Sequence, residues 1–261
     1  VHWNTNFNIA TNANKILSLV GDEPIIIGGN NSTTYGTQRI LKVGEDLGAF
    51  YLYKHDGIYQ DDKDVPAALY KKGYRAGDIK YRDVNGDGNL SDAEDRMVIG
   101  SPTPDFQGGW NNTFTFKNWS LDVFFTYMYG NDVYSGQEFN YSRTSYKCNV
   151  TEEHAIHYWT PGSGENWYPR FYYNSSLNTL NSDFFLHDGS FIRLRNITLS
   201  YNIPSALLKK AHISACRLHF GVDNLFLLSK YPGWDPEVNT NNDARYIGVD
   251  NLNVPQPRIY S

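Results

Sequence analysis

Hydrophobic and polar residues alternate one by one over several long stretches of the chain. In residues 1–11 the odd positions from 1 to 9 carry valine, tryptophan, threonine, phenylalanine and isoleucine, separated by histidine and asparagine. Residues 119–129 have an apolar or aromatic side chain at every odd position, and shorter alternating runs follow at 197–203 and 217–223. A period of two places successive side chains on opposite faces of a β-strand. The pattern therefore predicts long strands with one apolar and one polar face.

The length of these strands and the spacing between them favour a membrane barrel. A soluble strand averages about 5–6 residues, whereas a strand that crosses a membrane needs about 9–11. A tight turn at 117–119 joins two predicted strands, but residues 130–190, rich in Gly, Asn, Tyr and Pro, separate that hairpin from the next. Short turns at one end and long loops at the other are typical of outer-membrane barrels. The alternative is a large soluble β-sandwich with its polar face in water.

The same asymmetry predicts an orientation. The turns at 117–119 and 204–212 should be periplasmic, and the segments 57–105, 130–190 and 227–253 should be extracellular. We expect roughly seven strands, too few for a barrel with loops of this length. The chain is therefore predicted to be part of a larger protein.

Composition and charge exclude several other classes. Aromatic residues make up 15% of the chain, which argues against a disordered protein. The formal net charge is −5 and no basic stripe occurs, so we expect no nucleic-acid partner. The chain contains no apolar run of about 18 residues, so no transmembrane helix is predicted. Because no hydrolase, nucleotide-binding or zinc-protease motif occurs, we predict that the chain is not an enzyme.

A calcium-type loop is the sharpest local signal. Residues 83–94, reading DVNGDGNLSDAE, match the pattern D-x-[DN]-x-[DN]-G-x5-E. Ca²⁺ prefers oxygen ligands, and the glycine at the sixth position permits the sharp turn. The residues before the loop read as extended, so this is not a helix–loop–helix pair. Na⁺ or Mg²⁺ on the same oxygens, or a turn that needs no metal, are the alternatives. The predicted ligands are Asp83, Asn85, Asp87, the carbonyl of Asn89, Ser91, and Glu94 or Asp95.

Two further features lie in the long predicted loops. Residues 151–159 read as a solvated helix that starts at a capping threonine and ends before Pro161, although His154 and His157 beside two glutamates also suggest a metal site.

Aromatic rings can stack on sugar faces at low cost in conformational entropy, and packing of one loop on another is the alternative for each ring. The candidates for substrate binding are Trp159, Trp167, Tyr168, Tyr172 and Trp234.

Several of these segments resemble the SusC/RagA-type TonB-linked outer-membrane transporters. Residues 83–100, reading DVNGDGNLSDAEDRMVIG, resemble the D-x-NGDG…DR…IG segment of that family. The resemblance continues in the hairpin at 112–130, in DGSFIRLRNITL at 188–199 and in YPGWDPE at 231–237. It covers most of the chain in the expected order. One extra residue before Arg96, relative to the common spacing, leaves open which acidic residue closes the metal loop.

The resemblance implies an all-β fold, an antiparallel transmembrane β-barrel segment with long extracellular loops, within a barrel of about 22 strands. It assigns residues 1–261 to the C-terminal portion of that barrel, without the plug domain and the last strand. It implies an importer of oligosaccharides or peptides in the bacterial outer membrane, surrounded by lipid. TonB would energise it through the plug, and a SusD-like surface lipoprotein would cover it. The alternative function is a secreted or surface-anchored calcium-binding β-sandwich that binds glycans.

Overall fold

The computed structural model describes residues 1–21, 23–28, 38–141, 150–172, 177–209, 212–238 and 247–261. Its strands are β1 (His2–Ala10), β2 (Ile25–Gly28), β3 (Gln38–Leu41), β4 (Tyr51–Tyr53), β5 (His55–Ile58), β6 (Ile79–Tyr81), β7 (Arg96–Val98), β8 (Phe106–Phe116), β9 (Trp119–Tyr129), β10 (Asp132–Ser135), β11 (Leu186–Asp188), β12 (Phe191–Asn202), β13 (Arg217–Ser229), β14 (Val249–Asp250) and β15 (Ile259–Tyr260). Its helices are α1 (Ala67–Lys71), α2 (Gly136–Tyr141), α3 (Glu152–His157) and α4 (Ser205–Leu208). None of the helices in these ranges has the length and apolar character that a membrane span requires.

Six strands form one large antiparallel sheet, which we call the wall sheet. Its strand order is β1-β8-β9-β12-β13-β15. The four central strands are 11 to 13 residues long, which is enough to cross a membrane at a tilt. The sequence predicts about seven strands, and the sheet has six because the described residues between β1 and β8 pair in small separate sheets instead.

The register of the wall sheet aligns the apolar positions of neighbouring strands with each other, and their polar positions likewise. One row across five strands consists of Trp3, Phe114, Leu121, Leu199 and Phe220. The adjacent row, one residue along on the opposite face, consists of Asn4, Thr113, Asp122, Thr198 and Gly221. The predicted period of two is therefore continuous across the sheet, with an apolar face and a polar face.

A β-bulge keeps this pattern intact along β12. Arg195, between Leu194 and Asn196, is an extra residue relative to β9. On the other side, two residues of β13 lie opposite it, Asn224 and Leu225, and Asn224 has φ of 52°. One inserted residue reverses the parity of a strand. Leu194 and Ile197 therefore point to the same apolar face although their numbers differ by three. The alternation read from the sequence at 197–203 could not be extended backwards for this reason.

The apolar face is open, and two of its indole N–H groups are hydrogen-bonded within the face. Phe7 and Leu218 are 60% and 59% exposed. The indole N–H groups of Trp3 and Trp110 donate to Asn112 Oδ1 and Thr5 Oγ1 at 3.1 and 2.9 Å. A β-sandwich would cover such a face with a second sheet, whereas a lipid-facing surface needs its polar groups paired internally. The open face therefore disfavours the sandwich alternative.

The connections of the wall sheet are short at one end and long at the other, as predicted. Lys117 and Asn118 alone join β8 to β9, and Lys117 adopts φ of 51° to make this turn. Residues 203–216, which include α4, join β12 to β13 at the same end. The long segments that follow β9 and β13 leave from the opposite end. There they fold into a separate body with its own core.

Candidate outer mouth

The long segments at this end of the wall sheet pack around one hydrophobic core, and we call this unit the loop body. Three small sheets, β4–β7, β5–β6 and β11–β10–β14, frame it. All three segments predicted to be extracellular contribute to it. Its buried members are Phe50, Leu52, Tyr53, Ile58, Tyr59, Val65, Leu69, Tyr74, Ile79, Tyr81, Tyr134, Phe139, Trp159, Phe184, Phe185 and Val249. Such a core gives the described parts of these loops a fixed shape.

A buried aspartate ties two of the loop segments together. Asp78 is fully buried and accepts two hydrogen bonds from the guanidinium of Arg170, at 3.0 and 3.1 Å. Asn178 Nδ2 and the backbone amide of Arg75 also donate to it. Buried charges are stable in proteins when they are paired and fully hydrogen-bonded. Asp78 therefore fixes the 57–105 segment against the 150–180 region.

The close packing at this joint requires glycine at position 77. Gly77 has φ of 88°, and a Cβ atom there would lie 2.4 Å from Cε3 of Trp159. No side chain can occupy that space without moving the indole ring. The indole is itself buried and donates through Nε1 to Gln60 Oε1 at 3.0 Å.

The predicted calcium loop curls around its own acidic side chains. Asp83 accepts hydrogen bonds from the amides of Gly86 and Gly88 at 2.6 and 2.7 Å. Asn85 and Asp87 each accept from the amide two residues further on. Gly88 has φ of 78°, the left-handed conformation that glycine adopts without a Cβ penalty. Three of the predicted side-chain ligands, Asp83, Asn85 and Asp87, therefore line one tight turn.

Asp95 and Glu94 occupy different positions in this loop. Asp95 is buried, and its two oxygens accept from the amides of Val84 at 2.9 Å and Ser91 at 2.7 Å. Glu94 is exposed, with Oε2 at 3.2 Å from both Asn85 Nδ2 and Ser91 Oγ. Asp95 thus holds the loop backbone, and Glu94 is the acidic side chain that faces the predicted ligands.

The donor set of the loop is compatible with a cation. The described residues contain no assembled group of three or more His, Cys, Asp or Glu side chains that could hold a metal ion. Each carboxylate oxygen has two lone pairs, however, and an amide hydrogen bond uses one of them. Asp83 therefore keeps acceptor capacity at each oxygen, while the side chains of Asp87 and Glu94 lie at the surface. Calcium binding stays a prediction.

The five aromatic candidates for substrate binding lie in different environments. Trp159 lies in the core of the loop body, where packing between loops accounts for its position. Trp167 is 45% exposed and stacks on Phe184, with ring centroids 5.4 Å apart. Tyr172 is exposed beside the guanidinium of Arg170. The remaining two candidates, Tyr168 and Trp234, both line one cavity.

This cavity lies between α2, α3 and the loop at 231–237. Its volume is about 180 Å³, and its lining includes Tyr141, Tyr168, Trp234 and the two acidic residues Glu138 and Glu153. Helix α3 is the helix predicted from the capping threonine, and Thr151 Oγ1 accepts from the His154 amide at 3.3 Å. Burial raises the pKa of Tyr168, and the negative charges of Glu138, Glu153 and Glu165 raise it further. The cavity therefore combines aromatic walls with a negative potential.

An ion-pair network positions the loop that carries Trp234. Arg193 on the polar face of β12 is buried, and its Nη2 donates to Asp235 Oδ1 at 2.5 Å. Arg195 donates to both carboxylate oxygens of Glu237 at 2.7 and 3.0 Å. None of these four residues is predicted to be functional from the sequence. The available signal in the sequence was a pair of arginines near the start of β12 together with the acidic residues of the 231–237 loop.

Comparison with known proteins agrees with this architecture. TonB-dependent receptor P3 of Formosa agariphila is 31% identical over 269 aligned residues, which cover 99% of this chain and 26% of that receptor. TonB-dependent receptor SusC of Bacteroides thetaiotaomicron is 26% identical over 258 aligned residues, covering 93% of this chain and 23% of SusC. No family model matches the chain.

The fold also matches solved structures. The RagAB peptide transporter aligns with a TM-score of 0.74 at 22% identity, over 99% of this chain and 26% of the matched chain. The RagAB peptide importer in its "open-open" state gives a TM-score of 0.72 at the same identity. At this level of identity the likeness concerns the fold alone.

The fold and the sequence matches together define the class of protein to which the chain belongs. The long antiparallel strands, the open apolar face and the matched fold are those of an outer-membrane β-barrel segment. The sequence matches identify it as part of a SusC/RagA-type TonB-dependent receptor. The predicted family, fold class and outer-membrane location are confirmed. The chain spans about a quarter of the length of the curated relatives it matches. The curated relatives are named as receptors, and the matched structures are named as a peptide transporter or importer.

Proposed function

We propose that the chain is the C-terminal portion of a barrel that actively imports oligosaccharides or peptides across the outer membrane. The observation that carries the proposal is the wall sheet with one apolar and one polar face, with a folded loop body at one end only. The apolar face meets lipid, the polar face lines the lumen, and the loop body forms part of the outer mouth. TonB supplies the energy through a plug domain elsewhere in the protein.

We propose further that a SusD-like surface lipoprotein covers this mouth. The support is the relationship to SusC and to the two-component RagAB structures, together with the position of the loop body at the end of the barrel. A lid over a fixed rim can enclose cargo before transport. One of the matched structures is a peptide transporter, and the proposed cargo includes both peptides and oligosaccharides.

Calcium has a structural role in this proposal. Asp83, Asn85, Asp87, the Asn89 carbonyl, Ser91 and Glu94 would hold Ca²⁺ in the loop body, with Asp95 supporting the backbone behind them. Extracellular calcium is plentiful, so an affinity in the range of about 10⁻⁴–10⁻³ M is sufficient. The bound ion would stiffen a rim segment that contacts cargo or the lid.

Uptake by whole cells tests the import function. A strain lacking the full-length receptor should fail to deplete a defined mixture of oligosaccharides or a defined mixture of peptides from its medium, as followed by mass spectrometry. The complemented strain should restore depletion, and a protonophore should abolish it because TonB-dependent transport needs the proton gradient. Depletion that is unchanged by the deletion for both mixtures would contradict the proposal.

A further inference from the structure

The cavity between α2, α3 and the loop at 231–237 has the chemistry of a cation site. Glu138 and Glu153 enter its lining from two different helices. No lysine or arginine of the described residues lines it. Each carboxylate contacts an imidazole: Glu138 contacts His187, and Glu153 Oε2 lies 3.6 Å from His157 Nε2. The carboxylates therefore keep acceptor capacity for a positively charged ligand.

The aromatic residues of the same cavity favour an organic cation over a metal ion. Tyr141, Tyr168 and Trp234 contribute to the lining, and Trp234 is 60% exposed. The faces of aromatic rings carry negative electrostatic potential and attract lysine-like ammonium groups, by about 0.5–2 kcal/mol per contact. A metal ion instead needs several converging oxygen ligands, and the described residues contain no group of three or more His, Cys, Asp or Glu side chains that could hold one.

The size of the cavity limits the ligand to one chemical group of a larger cargo. Its volume of about 180 Å³ is below the roughly 300–1,000 Å³ typical of pockets that enclose a whole small molecule. The cavity can therefore accept one side chain or one sugar unit while the remainder of the cargo extends along the outer mouth.

The supports of the cavity are rigid. Arg193 and Arg195 of β12 hold the 235–237 segment beside Trp234 by ion pairs. His154 of α3 is buried and stacks on Tyr168, with ring centroids 5.3 Å apart. Rings that are fixed in advance lose little entropy when a ligand binds between them.

We propose that this cavity binds a primary ammonium group of the imported cargo, between the carboxylates of Glu138 and Glu153 and the rings of Tyr168 and Trp234. The inference rests on the proposed import function and names the chemical group that the cargo presents. A lysine side chain of a peptide and the free amine of an amino sugar share this chemistry. The site would select amine-bearing cargo within either class.

Two matched pairs of probes test the inference on the full-length receptor in detergent, with binding measured by calorimetry. The first pair is the acetylated and amidated tripeptide Ala-Lys-Ala and the same peptide with norleucine in place of lysine. The second pair is a glucosamine trisaccharide with free amines and its N-acetylated form. At least one amine-bearing probe should bind about tenfold more tightly than its uncharged twin, and the pair that shows this identifies the source.

Variants connect this preference to the cavity. The double substitution Glu138→Gln and Glu153→Gln should abolish the preference for the amine-bearing probe, and Trp234→Ala should reduce it. Glu152→Gln, on the same helix and exposed, removes an equal charge outside the cavity and should retain it. Tyr70→Ala removes an exposed ring elsewhere on the loop body and should retain it as well.

The failures of the two proposals are distinguishable. Equal binding of both members of each pair, or a preference that survives Glu138→Gln with Glu153→Gln, would overturn the ammonium site while uptake by cells continued. Depletion that is unchanged by deletion of the receptor in the cellular experiment, with the binding preference intact, would overturn the import function and leave the site in place.

Discussion

At the scale of single residues, two adjacent acidic side chains in the calcium loop have separate tasks. Asp95 is buried and bonds two backbone amides, so Asp95→Asn should lower the melting temperature of the loop body with or without calcium. Glu94 is exposed beside Asn85 and Ser91, so Glu94→Gln should weaken only the calcium-dependent part of the stability. Thermal unfolding of the full-length receptor in millimolar Ca²⁺ and in chelator measures both effects.

Two results would contradict this assignment. A melting temperature that is the same in calcium and in chelator for the unsubstituted receptor would show that the loop binds no calcium. Equal calcium-dependent losses for Asp95→Asn and Glu94→Gln would show that both residues are ligands.

A buried histidine predicts a dependence of loop-body stability on pH. Burial lowers the pKa of His154 below its usual value of 6.5, and the ring stacks between Tyr168 and Phe171. Below pH 6.5 the unfolded chain therefore binds more protons than the folded chain, and stability falls as the pH falls. The contribution is fully present above pH 6.5 and is lost progressively below it.

Amide hydrogen exchange of the loop body measures this effect. The measurement runs from pH 7.5 to about pH 5, a range that spans the usual histidine pKa, and the rates are corrected for intrinsic exchange. His154→Phe keeps a flat ring at the stacked position and should reduce the dependence on pH. The remainder belongs to His55, a second buried histidine of the loop body whose pKa is also lowered by burial. His157→Phe, at an exposed position of the same helix, should leave the dependence unchanged. A dependence of undiminished size in His154→Phe would assign it to other groups.

Residue types could be predicted at this scale better than residue environments. The oxygen-rich spacing at 83–94 gave the loop and its turn glycine directly, because ligand geometry is local. The roles of the aromatic candidates depend on tertiary contacts that the sequence does not show. Trp159 and Trp167 both occur in a polar, proline-rich loop, yet one is buried against Gly77 and the other is exposed.

At the scale of elements, an arginine introduced into β9 should have different effects on stability at its two faces. Val123 lies on the apolar face and Asp122 on the polar face of the same strand. An arginine at a lipid-facing midplane position costs about 2–4 kcal/mol. Val123→Arg should therefore lower the free energy of unfolding by about that amount, and Asp122→Arg should lower it much less. Equal losses, measured by chemical unfolding of the full-length receptor in lipid vesicles, would contradict the register.

The anchor between β12 and the 231–237 loop predicts a second effect. Arg193→Met removes one partner of a buried ion pair and leaves Asp235 uncompensated, which costs about 3–5 kcal/mol in comparable cases. The loop should detach, and the fluorescence of Trp234 should shift to longer wavelength. Arg258→Met, an exposed arginine on the polar stretch before β15, serves as the control and should leave the fluorescence unchanged. An unshifted spectrum for Arg193→Met would show that the ion pair does not position the loop.

Strands were predictable from the sequence because their signal repeats every two residues. Strands β1, β8, β9 and β13 follow that period over most of their length. The bulge at Arg195 was not predictable, since one extra residue changes the parity without changing the composition. The short strands of the loop body carry too few residues to show any period, so the long loops gave no sign that they share a core.

At the scale of the whole molecule, the central claim is that the wall sheet crosses the outer membrane with the loop body outside. Cysteine labelling of intact cells tests it most directly. Ser163 is exposed on the loop body, and Ser205 is exposed at the start of α4, at the other end of the sheet. The native cysteines are first replaced by serine: Cys216 near that end, and Cys148, which lies outside the described residues. We predict that a membrane-impermeant thiol reagent labels Ser163→Cys and labels Ser205→Cys only after lysis. Labelling of Ser205→Cys alone in intact cells, or equal labelling of both, would contradict the account.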